Sequence, residues 1–166
     1  MSQAIFNTRD IIKLDNKDIQ DLKQKAFNSS LKSARLCLHK SIQESLHEMI
    51  IAICKGVYIK PHKHKIKTES FHVIEGSFFL IVFDDSGKIV ERILMGGDNE
   101  EKKFLCRLEK NLWHMLIPIS DFVIFHETTN GPYIGKEDSI FASWAPKKDD
   151  REGIKNFIKK ILNRLE

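Results

Sequence analysis

The stretch GVYIKPHKHKIKTESFHVIEG, residues 56–76, decides how this chain folds. Extended backbone sends successive side chains to opposite faces, so His62 and His64 project side by side while Lys63 points away. Two imidazoles placed this way can share one ion. After a four-residue connection Glu69 opens the next strand, and an antiparallel return brings its carboxylate to where it could join them. Gly76 ends that strand at a tight turn, a position where glycine is free to take a positive φ. His72 lies three positions beyond Glu69, so alternation turns it to the opposite face and excludes it from the ligand set.

On either side, short runs rich in β-branched and aromatic residues alternate with turn signals. MIIAICKGVYI (49–59) and SFHVIEGSFFLIVF (70–83) are followed by IVERILM (89–95), KFLCRLE (103–109), WHMLIPI (113–119) and DFVIFHETT (121–129). Asp85-Ser86-Gly87 and Gly96-Gly97-Asp98-Asn99 predict hairpin turns. This regular spacing predicts an all-β sandwich or barrel. Two helices flank it. From Asp15 to Ser29, the residues Ile19, Leu22, Ala26 and Phe27 recur at helical spacing, with Asp15 or Asn16 as cap. Near the end, Ile154, Phe157, Ile158, Ile161, Leu162 and Leu165 form one stripe, capped by Asp149 or Asp150, with Lys155, Lys159, Lys160 and Arg164 facing away. That stripe predicts packing on the barrel, with a homodimer contact as the alternative. The expected division is an N-terminal segment with a short helix (1–32), the barrel (33–146) and a C-terminal helix (147–166).

A chain of 166 residues suffices for one core without covalent staples. Its three cysteines, Cys37, Cys54 and Cys106, are odd in number and lack CxxC spacing, which argues against a disulfide framework or thiolate metal site. No apolar run is long enough for a secretory core or a membrane span, so the expectation is a cytoplasmic protein without membrane partners. The formal charge of +4 is modest and no nucleic-acid motif is present. Lys60, Lys63, Lys65 and Lys67 flank the histidines, where they could draw an anionic substrate to a pocket mouth.

Taken whole, Gly56-x5-His62-x-His64-x4-Glu69-x6-Gly76 fills every defined position of the first motif of the cupin superfamily, which the chain therefore resembles. The resemblance implies a small double-stranded β-helix (jelly-roll) barrel and a further histidine from a second motif. Glu109-x-Asn111-x-x-His114 is the matching segment, with Asn111 where the family usually has glycine, a tolerable exchange because asparagine accepts left-handed backbone. Glu109 replaces the usual proline. On this basis His62, His64, Glu69 and His114 form the expected metal set. More narrowly, Ser33–His39, His47-Glu48-Met49, Pro61–His64, Lys67–Phe71, Trp113-His114, Glu127–Pro132 and Trp144-Ala145-Pro146 resemble the WbuC family of cupin-fold metalloproteins. That likeness runs from about Ser33 to Pro146. It implies an association with surface-polysaccharide genes and leaves the reaction open.

Three imidazoles and a carboxylate suit one divalent transition metal, Fe(II), Mn(II), Ni(II), Co(II) or Zn(II), rather than the all-oxygen preferences of Ca(II) or Mg(II). Around this centre, His126 and Glu127 are adjacent in an apolar strand, so one must face the pocket and could transfer protons. Arg35 and His39 share one face with Cys37, and Arg35 can grip a carboxylate or phosphate in a fork. Tyr58 and Lys60 share parity with His62. These four are the expected substrate contacts. The leading expectation is a metal-dependent isomerase, epimerase or oxygenase acting on a small polar molecule such as a sugar or nucleotide-sugar. The rival is a non-catalytic cupin that binds a carbohydrate or effector.

Overall fold

The computed structural model describes residues 3–97 and 101–163. In chain order the elements are β1 (Gln3–Phe6), α1 (Asn16–Asn28), β2 (Ser33–Cys37), β3 (Leu46–Cys54), β4 (His62–Lys63), β5 (Glu69–Glu75) and β6 (Ser77–Phe83). They continue with β7 (Ile89–Gly96), β8 (Leu105–Leu108), β9 (Trp113–Pro118), β10 (Phe122–Asn130), a 3₁₀ turn (Gly135–Asp138), β11 (Ile140–Phe141) and α2 (Arg151–Leu162). The strands form two facing sheets, β1-β2-β3-β10-β5-β8 and β11-β4-β9-β6-β7: the strand spacing predicts a sandwich or barrel, and the arrangement is the jelly-roll that the cupin resemblance implies.

Burial explains why β3 lacks the alternation of a half-exposed strand. Met49, Ile51 and Ile53 enter the core between the sheets, where they join Phe71, Phe78, Leu80, Val82, Leu116, Val123 and Phe125. Ile50, Ala52 and Cys54 face outward and are covered by Leu22 and Ala26 of α1. Both faces are therefore apolar. Helix α1 starts in a capping box. The Asp15 carboxylate accepts from the backbone N–H of Lys17 at 2.8 Å and of Asp18 at 3.2 Å, and Asp18 Oδ2 accepts from Asp15 N–H at 2.9 Å. Asp150 caps α2, accepting from Gly153 N–H at 2.8 Å. The α2 stripe of Phe157, Ile158, Ile161 and Leu162 packs on the outer face of the second sheet against Ile81, Phe83, Met115 and Ile117. Leu165 and Arg164 lie outside the described residues.

The β6–β7 turn at Asp85-Ser86-Gly87 is organised by Asp84, whose Oδ1 accepts from the backbone N–H of Ser86 and of Lys88, each at 2.9 Å. Gly87 there has φ +82°. Strand β7 ends at Gly96, and Asp98 and Asn99 of the second expected turn lie outside the described residues. One element is new relative to the sequence reading. Strand β1, ahead of the expected Asp15–Ser29 helix where no element was expected, runs parallel to β2 with Gln3 opposite Ala34 and Phe6 opposite Cys37. Four residues at a sheet edge carry too little periodicity to announce themselves. Among the described residues, no helix is long and apolar enough to cross a membrane.

Candidate metal centre

Both sheets contribute to the site. In the second sheet β4 pairs with β9 so that His62 stands directly opposite His114. His64 follows one residue after β4. In the first sheet β5 begins with Glu69, whose side chain points inward with Phe71 and Val73. The four ligand atoms, one from each of His62, His64, Glu69 and His114, all lie within 4.8 Å of one another. Asn111, standing for the expected glycine, has φ +67°, and its N–H donates to the His64 carbonyl at 2.8 Å. The left-handed turn thus ties the segment before His114 to the His64 backbone.

Each imidazole is oriented by a backbone carbonyl. Nδ1 of His62 lies 2.9 Å from the Lys60 oxygen, Nδ1 of His64 2.6 Å from the Asp138 oxygen, and Nδ1 of His114 3.0 Å from the Leu112 oxygen. A carbonyl can only accept, so each Nδ1 carries the hydrogen and each Nε2 of a neutral ring is left as a bare lone pair. Those lone pairs point at acceptors. His64 Nε2 lies 3.2 Å from one Glu69 oxygen and His114 Nε2 lies 3.0 Å from the other. Both nitrogens are buried without a hydrogen-bond partner in the neutral tautomer. Facing acceptors at this range repel unless a positive species lies between them.

A proton is one such species. Burial works to lower the His64 pKa, but the Glu69 carboxylate more than offsets it and holds the imidazole above its ordinary value. Burial works to raise the Glu69 pKa, yet His114 and His64 hold the carboxyl well below the usual range. His62 differs: burial, reinforced by His114, pushes its pKa down to about 3, so that ring stays neutral with its Nε2 available. A divalent cation is the other species, and it satisfies all four donors at once. The geometry and donor chemistry fit such an ion, with the carbonyl partners serving as outer supports that fix ring orientation.

Two neighbouring cavities share part of a wall, and one of them reaches the centre. One of about 490 Å³ reaches His64 and Glu69 and is also lined by His39, His47, Lys67 and Tyr133. Another of about 660 Å³ is lined by Tyr58, Lys60, Lys55 and Lys148. Arg35, Glu127 and Phe141 line both. Glu127 follows Val123 and Phe125 on the inward face of β10, and burial, aided by the Glu69 charge, pushes its carboxyl pKa up to about 7. His126 takes the opposite face. It lines neither cavity, and its Nε2 sits 3.4 Å from a Glu48 oxygen. Of the adjacent pair, Glu127 is the one turned inward, because an uninterrupted strand cannot send both neighbours to one side.

The remaining sequence candidates separate by cavity. His39 lies in the first, its ring stacked on His47 at 4.1 Å, with its Nδ1 within 3.2 Å of the Glu48 backbone. Tyr58 and Lys60 lie in the second. The Tyr58 hydroxyl donates to the Pro146 carbonyl at 3.1 Å and burial pushes its pKa up to about 12, so it also anchors the chain beyond the barrel. The lysines around the histidines do not act together. Lys63 pairs with Asp85 at 3.2 Å and Lys65 is exposed. Lys67 is only 3% exposed, with its ammonium 2.9 Å from Asp138.

That pair was not foreseen. Asp138 closes the 3₁₀ turn, its carboxylate neutralises Lys67, and its carbonyl receives the His64 Nδ1–H. No local pattern marks a residue 74 positions from its histidine as a support. His72 is exposed on the outer face of β5, as its parity predicts.

Residues 14–95, just under half of the chain, match a family model described as a domain of unknown function, DUF6016. No curated protein sequence matches. Among solved structures, the capsular polysaccharide assembling protein CapF from Staphylococcus aureus is 16% identical with a TM-score of 0.57, over 69% of this chain and 33% of CapF. L-ribose isomerase from Cellulomonas parahominis is 13% identical with a TM-score of 0.53, over 68% of this chain and 70% of the isomerase. Protein SO0799 from Shewanella oneidensis is 10% identical with a TM-score of 0.52, over 75% of this chain and 76% of its own. The chain thus spans about a third of CapF. At these identities the likeness establishes the fold, a small cupin barrel with two added helices.

Proposed function

We propose that this chain is a cupin enzyme that holds one divalent transition metal on His62, His64, Glu69 and His114 and acts on a small polar molecule of the sugar or nucleotide-sugar class. The observation that carries the proposal is the convergence of three Nε2 lone pairs and one carboxylate, each ring held by a carbonyl behind it. When bound, the ion would supply Lewis acidity toward a carbonyl or hydroxyl oxygen. Arg35 would hold an anionic group in its fork. Glu127 would take and return a proton, because its carboxyl is turned inward on β10 where the two cavities meet. The core between the sheets would exclude bulk water behind the ligands. The resemblance to the WbuC family and the structural likeness to a capsule protein and a sugar isomerase support a role in surface-polysaccharide metabolism.

The test is turnover. A ligand found by thermal-shift screening of the metal-loaded protein is expected to be consumed, and Glu127→Gln to slow its consumption about 100-fold or more while retaining the ion. A ligand returned unchanged, with oxygen present and absent, would instead favour a non-catalytic binding protein.

A further inference from the structure

The larger cavity carries a charge imbalance that the metal centre does not use. Its wall holds Lys55, Lys60, Lys148 and Arg35 against one carboxylate, Glu127. Lys32 also borders it, but its ammonium donates to the Phe27 carbonyl at 2.5 Å and lies over the Phe27 ring. Elsewhere in the molecule lysines find acids: Lys23 pairs with Glu75, Lys40 with Asp10, Lys63 with Asp85 and Lys67 with Asp138. Among the described residues, Lys55, Lys60 and Lys148 are in no ion pair. Lys148 reaches over the Phe141 ring at 5.8 Å, at the boundary both cavities share.

Lys60 is half-buried while Lys55 and Lys148 are exposed, and like charges gathered around one concavity repel one another and focus a positive potential into the space they enclose. One monocarboxylate would leave most of that charge uncompensated. A group with two or more negative charges and several acceptor oxygens matches the three ammoniums. The volume of about 660 Å³ accommodates such a group, and Arg35 and Glu127 line both this cavity and the one that reaches Glu69 and His64.

We propose that the larger cavity is a phosphate subsite: it takes a phosphate or diphosphate group of the substrate, whose uncharged polar end extends past Arg35 and Glu127 to the four clustered ligands. This names the substrate class for the proposed enzyme and rests on that reading for the role of the far end only, since anion binding needs no turnover.

The experiment is calorimetric titration of the full chain with pyrophosphate, inorganic phosphate and acetate, with metal content measured on the same preparations. Pyrophosphate or phosphate is expected to bind and acetate not to, the tighter of the two phosphates assigning a diphosphate or a monoester. The double variant Lys60→Ser/Lys148→Ser is expected to weaken that binding about tenfold or more with unchanged metal content. Lys148→Glu, a charge reversal at an exposed rim position, is expected to do so without threatening the fold. Phosphates binding no tighter than acetate, or both variants binding them like the parent chain, would overturn the proposal. A DNA duplex that displaces pyrophosphate would also overturn it, since a duplex reads an open basic surface and cannot enter the cavity. Pyrophosphate binding by protein that never retains a metal would support the subsite while overturning the enzyme reading.

Discussion

The two glycines that bracket the sequence motif should differ sharply in what they cost to replace. Both have left-handed backbone, φ +85° at Gly56 and φ +77° at Gly76. Alanine at either position incurs the left-handed penalty of roughly 1–2 kcal/mol. At Gly56 nothing else follows, because an added Cβ meets no atom within 4 Å. At Gly76 the same Cβ would sit 2.2 Å from the Phe122 carbonyl oxygen and 3.2 Å from Ser120 Cβ. The obstructing atom is backbone at the start of β10, the strand that pairs with both β3 and β5, so relief must move a central ladder. Overpacking of this kind adds roughly 1–3 kcal/mol. Gly76→Ala is therefore expected to lose about 3–4 kcal/mol and Gly56→Ala about 1 kcal/mol. For a domain of this length those figures correspond to melting-point losses of roughly 10 °C and 3 °C. Urea denaturation of both variants at unchanged m-value measures the difference. Equal losses, or a Gly76→Ala loss below about 1 kcal/mol, would refute the close approach of β10 to the β5–β6 turn.

Other outcomes follow from the same geometry. Lys67→Met leaves Asp138 buried without its counter-ion and is expected to cost about 3–5 kcal/mol by urea denaturation, with Lys67→Met/Asp138→Asn recovering most of it; equal damage from the single and double variants would show that packing is what matters. Glu127 has a folded pKa of about 7 against 4.5 for the free group, so the folded state holds this proton more tightly than the unfolded chain. Its stabilising effect is full below pH 4.5 and lost as pH rises through 7, making metal-free protein about 3 kcal/mol less stable at pH 8.5 than at pH 4.5 relative to Glu127→Gln. Parallel pH–stability curves for the two proteins would contradict that assignment. Tyr58→Phe removes the hydrogen bond to the Pro146 carbonyl and should cost about 1 kcal/mol, measured by thermal unfolding.

Much of the site was legible because its ligands obey short-range rules. Alternation placed His62 and His64 together and turned His72 away from Glu69, an antiparallel return brought Glu69 back to them, and Gly76 marked where the strand must turn. The helix ends were equally local: Asp15 and Asp150 are caps because a short acceptor side chain satisfies the first free N–H groups. His126 and Glu127 illustrate the limit. Alternation requires that one of them face the pocket and cannot say which, because that depends on how β10 registers between β3 and β5. The Lys67–Asp138 pair lay beyond reach altogether. Its partners come from separate loops, and only the closed barrel brings the 3₁₀ turn against His64. Strand β1 was missed because it owes its place to the edge of β2 rather than to its own pattern.

The most direct test of the account is elemental analysis of protein purified without a metal-affinity column, set beside His62→Ala, His64→Ala and Glu69→Gln prepared the same way. The account predicts close to one divalent transition-metal ion per parent chain and a large loss in each variant. Parent protein that carries no stoichiometric transition metal, and takes none up when Fe(II), Mn(II), Co(II), Ni(II) or Zn(II) is supplied, would contradict it.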